Sequence, residues 1–235
     1  MSEPEKNTNV AWNSWDVFYI LVFVFFINTL VKYLGDQMGM DFQNALTGGI
    51  MQLLLSFIPI IAIVIYLKII YNPPILKSLG LNIPKDKLKS YIIGGINISF
   101  LILISSMIVM IGFSLFNQAP LTNPYENYSI ENLRVISILA ILISPLYEEI
   151  VFRGFMQPAF CKTFGNIPGI FGVAIIFSLL HYQYLSYPHA LMVIFILSLI
   201  LGFARWHFGS TVPGIIGHLL NNVYATMSLF LGGHA

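Results

Sequence analysis

Residues 91–116 read YIIGGINISFLILISSMIVMIGFSLF, an apolar stretch without one Asp, Glu, Lys or Arg. At about 1.5 Å of rise per residue such a helix outruns a bilayer hydrocarbon core of about 30 Å, so the solvent it is built for is lipid. Runs of the same kind recur outward on both sides, near 17–34, 50–70, 134–160, 167–183, 189–207 and 211–231. The sequence therefore predicts an all-α fold: a polytopic transmembrane helical bundle of seven spans, or eight, forming one integral membrane domain over 1–235. Composition agrees. Only 9% of the 235 residues are charged and 57% are hydrophobic, against roughly 25% charged in soluble domains.

The 11 basic and 10 acidic residues nearly balance, which removes the basic footprint of a nucleic-acid binder. One cysteine, Cys161, excludes an internal disulfide and a multi-cysteine metal site, and it reads as a packing residue. The first run has no basic stretch before it and no small-residue cleavage signal after it, so it is expected to remain as a span. Trp12 and Trp15 precede it, where indole rings favour the headgroup level.

Basic loops stay cytoplasmic. The loop 71–90 carries Lys77, Lys85, Lys87 and Lys89, whereas 35–49 holds only Asp36 and Asp41, and 117–133 holds Glu126 and Glu131 without a Lys or Arg. This alternation places the N-terminus, the Lys-rich loop, the turn Cys161–Ile167 and the turn after Arg205 on the cytoplasmic side.

Three spans carry groups that lipid does not tolerate. The fourth contains Ser144 to Gly154, SPLYEEIVFRG, with Glu148, Glu149 and Arg153. Each charge costs about 2.5–3.5 kcal/mol at a helix centre, so the three are expected to face the protein interior or a wet cavity. Glu149 and Arg153 stand at i and i+4 in the favourable order for an ion pair. Glu148 points about 100° away and has no basic partner on its own helix, so it must find one on another. The fifth span ends on Phe177 to His181, FSLLH, and the seventh holds His218 to Asn222, HLLNN. Measured from a turn near 162–166, Glu148 and His181 lie at one depth; measured from the turn at Gly209, His218 lies shallower. His218 and Asn222, at i and i+4, share a face. His189, His207 and His234 are given no role.

A carboxylate and an imidazole at one depth suit removal of a proton from water, and a second imidazole with an amide suits stabilisation of an oxyanion. That set hydrolyses an amide without a Ser or Cys nucleophile. Two His and one Glu from three helices could instead hold a catalytic zinc, although no H-E-x-x-H pair is present. Intramembrane Glu and His also mark proton relays in transporters, and physics alone leaves enzyme and transporter about equally open. Against a transporter stand the lack of a repeat and the crowding of polar groups into 148–222. A non-proteolytic immunity or scaffold membrane protein is the remaining reading.

The ordered trio Glu148-Glu149-x-x-x-Arg153, Phe177-x-x-x-His181 and His218-x-x-x-Asn222 resembles the motifs of the CPBP family. These are the CAAX prenyl proteases and bacteriocin-processing intramembrane proteases, type II CAAX endopeptidases among them. The resemblance covers 134–231, the motif-bearing core. It implies a helical membrane fold around a catalytic cavity, and an endopeptidase acting on a membrane-associated or lipidated peptide or protein. It further implies that Glu148 with His181 activates water, His218 with Asn222 stabilises the oxyanion, and Glu149 with Arg153 holds the site in shape. No cofactor is favoured; a zinc, if used, would take Glu148, His181 and His218. The expected partners are the substrate and the lipid bilayer, with no nucleic acid and with the oligomeric state left open. The expected location is a prokaryotic plasma membrane with a cytoplasmic N-terminus.

Overall fold

In a computed structural model, residues 10–40, 45–116, 134, 137, 138, 141 and 143–232 are described, and among them there are helices and no strands. Helix α1 spans Ser14–Gln37. It starts there because Asn13 caps it: its side chain accepts from the Trp15 amide at 2.8 Å, and Asp16 accepts the Asn13 amide at 2.7 Å. Helix α2 (Ala45–Ile70) leads to a short α3 (Ile75–Ser78), and α4 (Leu88–Phe116) contains the stretch quoted above.

The fourth span is continuous but changes pitch. It begins as α5 (Ser144–Glu149), passes through a π-helical segment (Ile150–Met156) and returns to α-helix as α6 (Gln157–Phe164). The expected start of this span, 134–143, falls largely outside the described residues, of which 134, 137, 138 and 141 are helical. Asp41, Glu126, Glu131 and His234 also lie outside them. Gly165, at φ +90°, makes the break into α7 (Asn166–Leu180), a conformation that favours glycine. After a 3-10 turn (Tyr182–Tyr184) come α8 (Pro188–Phe208) and α9 (Val212–Gly232).

Four of these helices are long and apolar enough to cross a membrane: Ser14–Gln37, Leu53–Ile70 within α2, Leu88–Phe116 and Pro188–Phe208. Of the other three expected spans, 167–183 and 211–231 are helical with nearly the expected limits and the fourth is helical from Ser144 to Phe164, but each departs from a plain span for a physical reason. The fourth carries Glu148, Glu149, Arg153 and Lys162, α7 is a shorter apolar helix of 15 residues, and α9 carries His218, Asn221 and Asn222. Large apolar side chains on α1, among them Phe18, Phe23, Phe25 and Phe26, are exposed as a lipid-facing surface requires.

The tightest packing joins α4 to α9, where glycines let backbones approach. A Cβ at Gly95 would meet Ile216 at 2.4 Å, and one at Gly217 would meet Ile98 at 2.5 Å. Helices α7, α8 and α6 form the other wall. Ile98, Ile102, Phe152, Phe155, Phe177 and Leu201 fill the space between.

Contacts tie together the segments that charge patterning assigns to one side. Lys162 Nζ donates to the carbonyls of Val10, Ala11 and Trp12 at 2.9, 3.0 and 3.3 Å. Asp16 accepts from Tyr66 and, at 3.0 Å, from Tyr71. Thr211 donates to Gly80 through its amide and to Leu79 through its hydroxyl, at 2.9 and 2.7 Å.

One expectation changes here. Trp12 does not face lipid headgroups: it is fully buried, stacked on Phe155 at 5.7 Å, with its Nε1 donating to the Phe155 carbonyl at 2.9 Å. A buried indole N–H needs an acceptor, and the π-helical segment supplies one; Trp15 alone remains exposed. Within the Lys-rich loop Leu79 is buried, and its carbonyl would lie 3.0 Å from a Cβ at Gly154. Cys161 is buried with its sulfur 3.6 Å from the Asn166 carbonyl.

Candidate active site

Glu148 and Glu149 are the last two residues of α5, just before the π-helical segment begins. Both are buried, Glu149 completely. Arg153, one turn on, places Nη1 3.2 Å from Glu149 Oε1. Its Nη2 donates to the carbonyl and the hydroxyl of Ser198 at 3.0 and 2.9 Å, and its Cζ lies 4.7 Å from the centre of the Phe177 ring. The pairing of Glu149 with Arg153 was legible from spacing; the contribution of Ser198 on α8 was not.

His218 joins both carboxylates. Its Nδ1 is 3.1 Å from Glu149 Oε1, and its Nε2 is 3.9 Å from Glu148 Oε2. A carboxylate accepts, so Nδ1 carries a proton and Nε2 is turned to Glu148. Glu148 therefore finds its partner on another helix, but that partner is His218, and His218 is not shallower than the carboxylates. The depth estimate misplaced it because the turn before α9 is drawn inward. Thr211 is hydrogen-bonded to Leu79, Leu79 packs on Gly154, and from that shared level His218 and Glu149 are about equally far along their helices.

His181 caps α7, which ends at Leu180. Its Nδ1 donates to the Phe177 carbonyl at 2.7 Å, since a carbonyl only accepts, and this leaves Nε2 with its lone pair. Its ring lies 4.6 Å from that of Phe177, which in turn is 6.4 Å from His218. Phe177 is thus the common wall against which both imidazoles and Arg153 rest. Asn222 stands one turn beyond His218; its Oδ1 accepts from Asn221 Nδ2 at 3.4 Å. His189 packs against Phe113 and Tyr187, and His207 against Phe208.

Gly214 on α9 was not visible as a site residue. A Cβ there would lie 2.9 Å from Glu149 Oε2, so the carboxylate occupies space that only glycine leaves. Among the described residues, no three His, Cys, Asp or Glu side chains stand grouped as a metal ion would need.

The fold and the cluster define a helical membrane protein with two carboxylates, a guanidinium and an imidazole buried between helices. The segment carrying them, residues 130–224, matches the family model described as Type II CAAX prenyl endopeptidase Rce1-like. Over that segment the chain is similar to the Rce1-like type II CAAX prenyl endopeptidases, a likeness that supports a peptidase of the CAAX type. Comparison with curated proteins and with solved structures gave no match.

Proposed function

We propose that this protein is an intramembrane endopeptidase that hydrolyses a peptide bond in a membrane-associated or lipidated protein or peptide, with Glu148 as general base. The observation that carries this reading is the contrast between the carboxylates. Glu149 Oε1 is engaged by Arg153 and His218, whereas the ion-pair contact of Glu148 is a single long one to His218. Glu148 is thus the carboxylate left to handle a proton.

In the proposed reaction Glu148, assisted by the Nε2 lone pair of His181, takes a proton from water as the water oxygen attacks the scissile carbonyl carbon. The carbonyl π pair moves to oxygen, and the oxyanion is stabilised by the His218 ring and by the Asn222 amide, which donates to it. Collapse of the intermediate breaks the C–N bond, and Glu148 returns its proton to the leaving amine. Glu149 and Arg153 hold His218 and the helix in place. No metal enters these steps, and we place the protein in a prokaryotic plasma membrane with the N-terminus cytoplasmic, by its lysines.

The test is cleavage of a peptide panel, including a prenylated CAAX-type peptide, by the detergent-purified protein and Glu148→Gln, with and without a zinc chelator. Cleavage kept with chelator and lost in the variant upholds the reading; loss with chelator and rescue by zinc replaces the base with a metal. Ion flux in vesicles without cleavage would return the transporter reading. A second variant probes the packing. Gly214→Ala cannot be accommodated by a small shift, because Glu149 is held at its other oxygen. It is expected to lower kcat by about tenfold to a hundredfold, as misplacement of reacting groups by up to about 1 Å does, and to lower the melting temperature in detergent, because the Glu149 pairing with Arg153 is disturbed with it.

A further inference from the structure

At the end of the π-helical segment the Gln157 amide donates to the Phe152 carbonyl, a step of five residues. The next donor in that pattern, to the Arg153 carbonyl, would be residue 158, and residue 158 is a proline without an N–H. The α-helical alternative, the Gln157 amide, is already used. The Arg153 carbonyl is therefore left without a donor on its own helix, in a buried place where such a group is costly. Its donor comes from α8: Arg205 Nε lies 3.1 Å away.

From this we infer that Arg205 is a positioning residue of the catalytic cluster, fixing the π-helical register that aims Glu148 and Glu149 at His218. Ser198, Gly202 and Arg205 fall on one face of α8. The first accepts from Arg153, the second accepts Gln157 Nε2 at 2.8 Å, and the third donates to the Arg153 carbonyl. Side chain and main chain of Arg153 are thus held from the same helix. Arg205 is itself buried, and room for its guanidinium exists because position 80 is glycine: a Cβ there would lie 3.0 Å from Arg205 Cζ. A register change of one residue turns everything beyond it by about 100°, enough to part the carboxylates from His218.

The consequence for catalysis rests on the proposed function; the register does not, and the test separates them. Trp12, bonded to the Phe155 carbonyl inside the π-helical segment, is a built-in reporter once Trp15→Phe and Trp206→Phe remove the other indoles. In that background Arg205→Met is expected to shift Trp12 emission and lower kcat by about tenfold to a hundredfold at unchanged KM. Arg205→Gln, which keeps an N–H donor without the charge, is expected to recover both in large part. Unchanged Trp12 emission in Arg205→Met overturns the inference, as does a shift that Arg205→Gln fails to reverse. Where Arg205→Met does not fold, the emission of Arg205→Gln decides, wild-type-like upholding and shifted overturning. Should the wild type cut no peptide, the functional reading falls and the Trp12 result still stands.

Discussion

Glu148→Gln is expected to yield a folded protein with almost no turnover. The change removes a buried negative charge but little volume, and the ion-pair contact it loses, to His218 Nε2, is long at 3.9 Å. Arg153 keeps its pairing to Glu149, so no charge is stranded. The melting temperature in detergent should match or exceed that of the wild type, since desolvating a carboxylate disfavours the folded state. The rate should fall by about 10²–10⁴-fold, the contribution of a positioned general base. Steady-state hydrolysis of a cleaved peptide, read beside a melting curve, checks both halves. A rate near that of the wild type would remove Glu148 as the base.

Glu149→Gln, one residue along and chemically identical, is expected to behave differently. Glu149 is fully buried, and its Oε1 is shared by Arg153 and His218 Nδ1. The amide oxygen can still accept one bond, but the guanidinium is left buried without a counter-charge. Breaking one side of a buried pair typically costs about 3–5 kcal/mol. The Ser198 contacts and the Phe177 face retain part of the guanidinium's stabilisation, so the loss should fall near the lower end of that range. Activity should drop as well, because His218 Nδ1 loses the ionised acceptor that orients its ring. Chemical or thermal unfolding in detergent beside Glu148→Gln gives the comparison. Two variants of equal stability would mean that Arg153 does not depend on Glu149.

The helices were legible because lipid solvation demands long apolar runs, and the helix ends found at Gln37, Ile70, Phe116 and Phe208 lie within a few residues of where those runs stop. Part of the cluster was legible because polar and charged groups inside such runs are costly, which singled out Glu148, Glu149, Arg153 and His218, the four that the structure brings together. What escaped was tertiary. The depth of His218 was misjudged because it was counted from turns assumed to lie at equal height, whereas Thr211, at the turn before α9, is bonded to Leu79. Trp12 reads like an interfacial indole, and nothing local says that Phe155 offers it a carbonyl. The π-helical segment left one faint mark, the proline at 158, but its meaning depends on Arg205, which reaches the Arg153 carbonyl from fifty-two residues along the chain.

The buried tryptophan has a consequence for modularity. Residues 130–224 carry the recognisable motifs, yet Phe155 and Gly154 within them are covered by Trp12 and by Leu79, which lie outside. A polypeptide beginning at residue 130 would present that face of its reactive helix, carbonyls included, to lipid with nothing to receive it. The hydrolytic segment is thus not a cassette that can be moved between proteins by its motifs; a transplant would have to bring its own N-terminal cover.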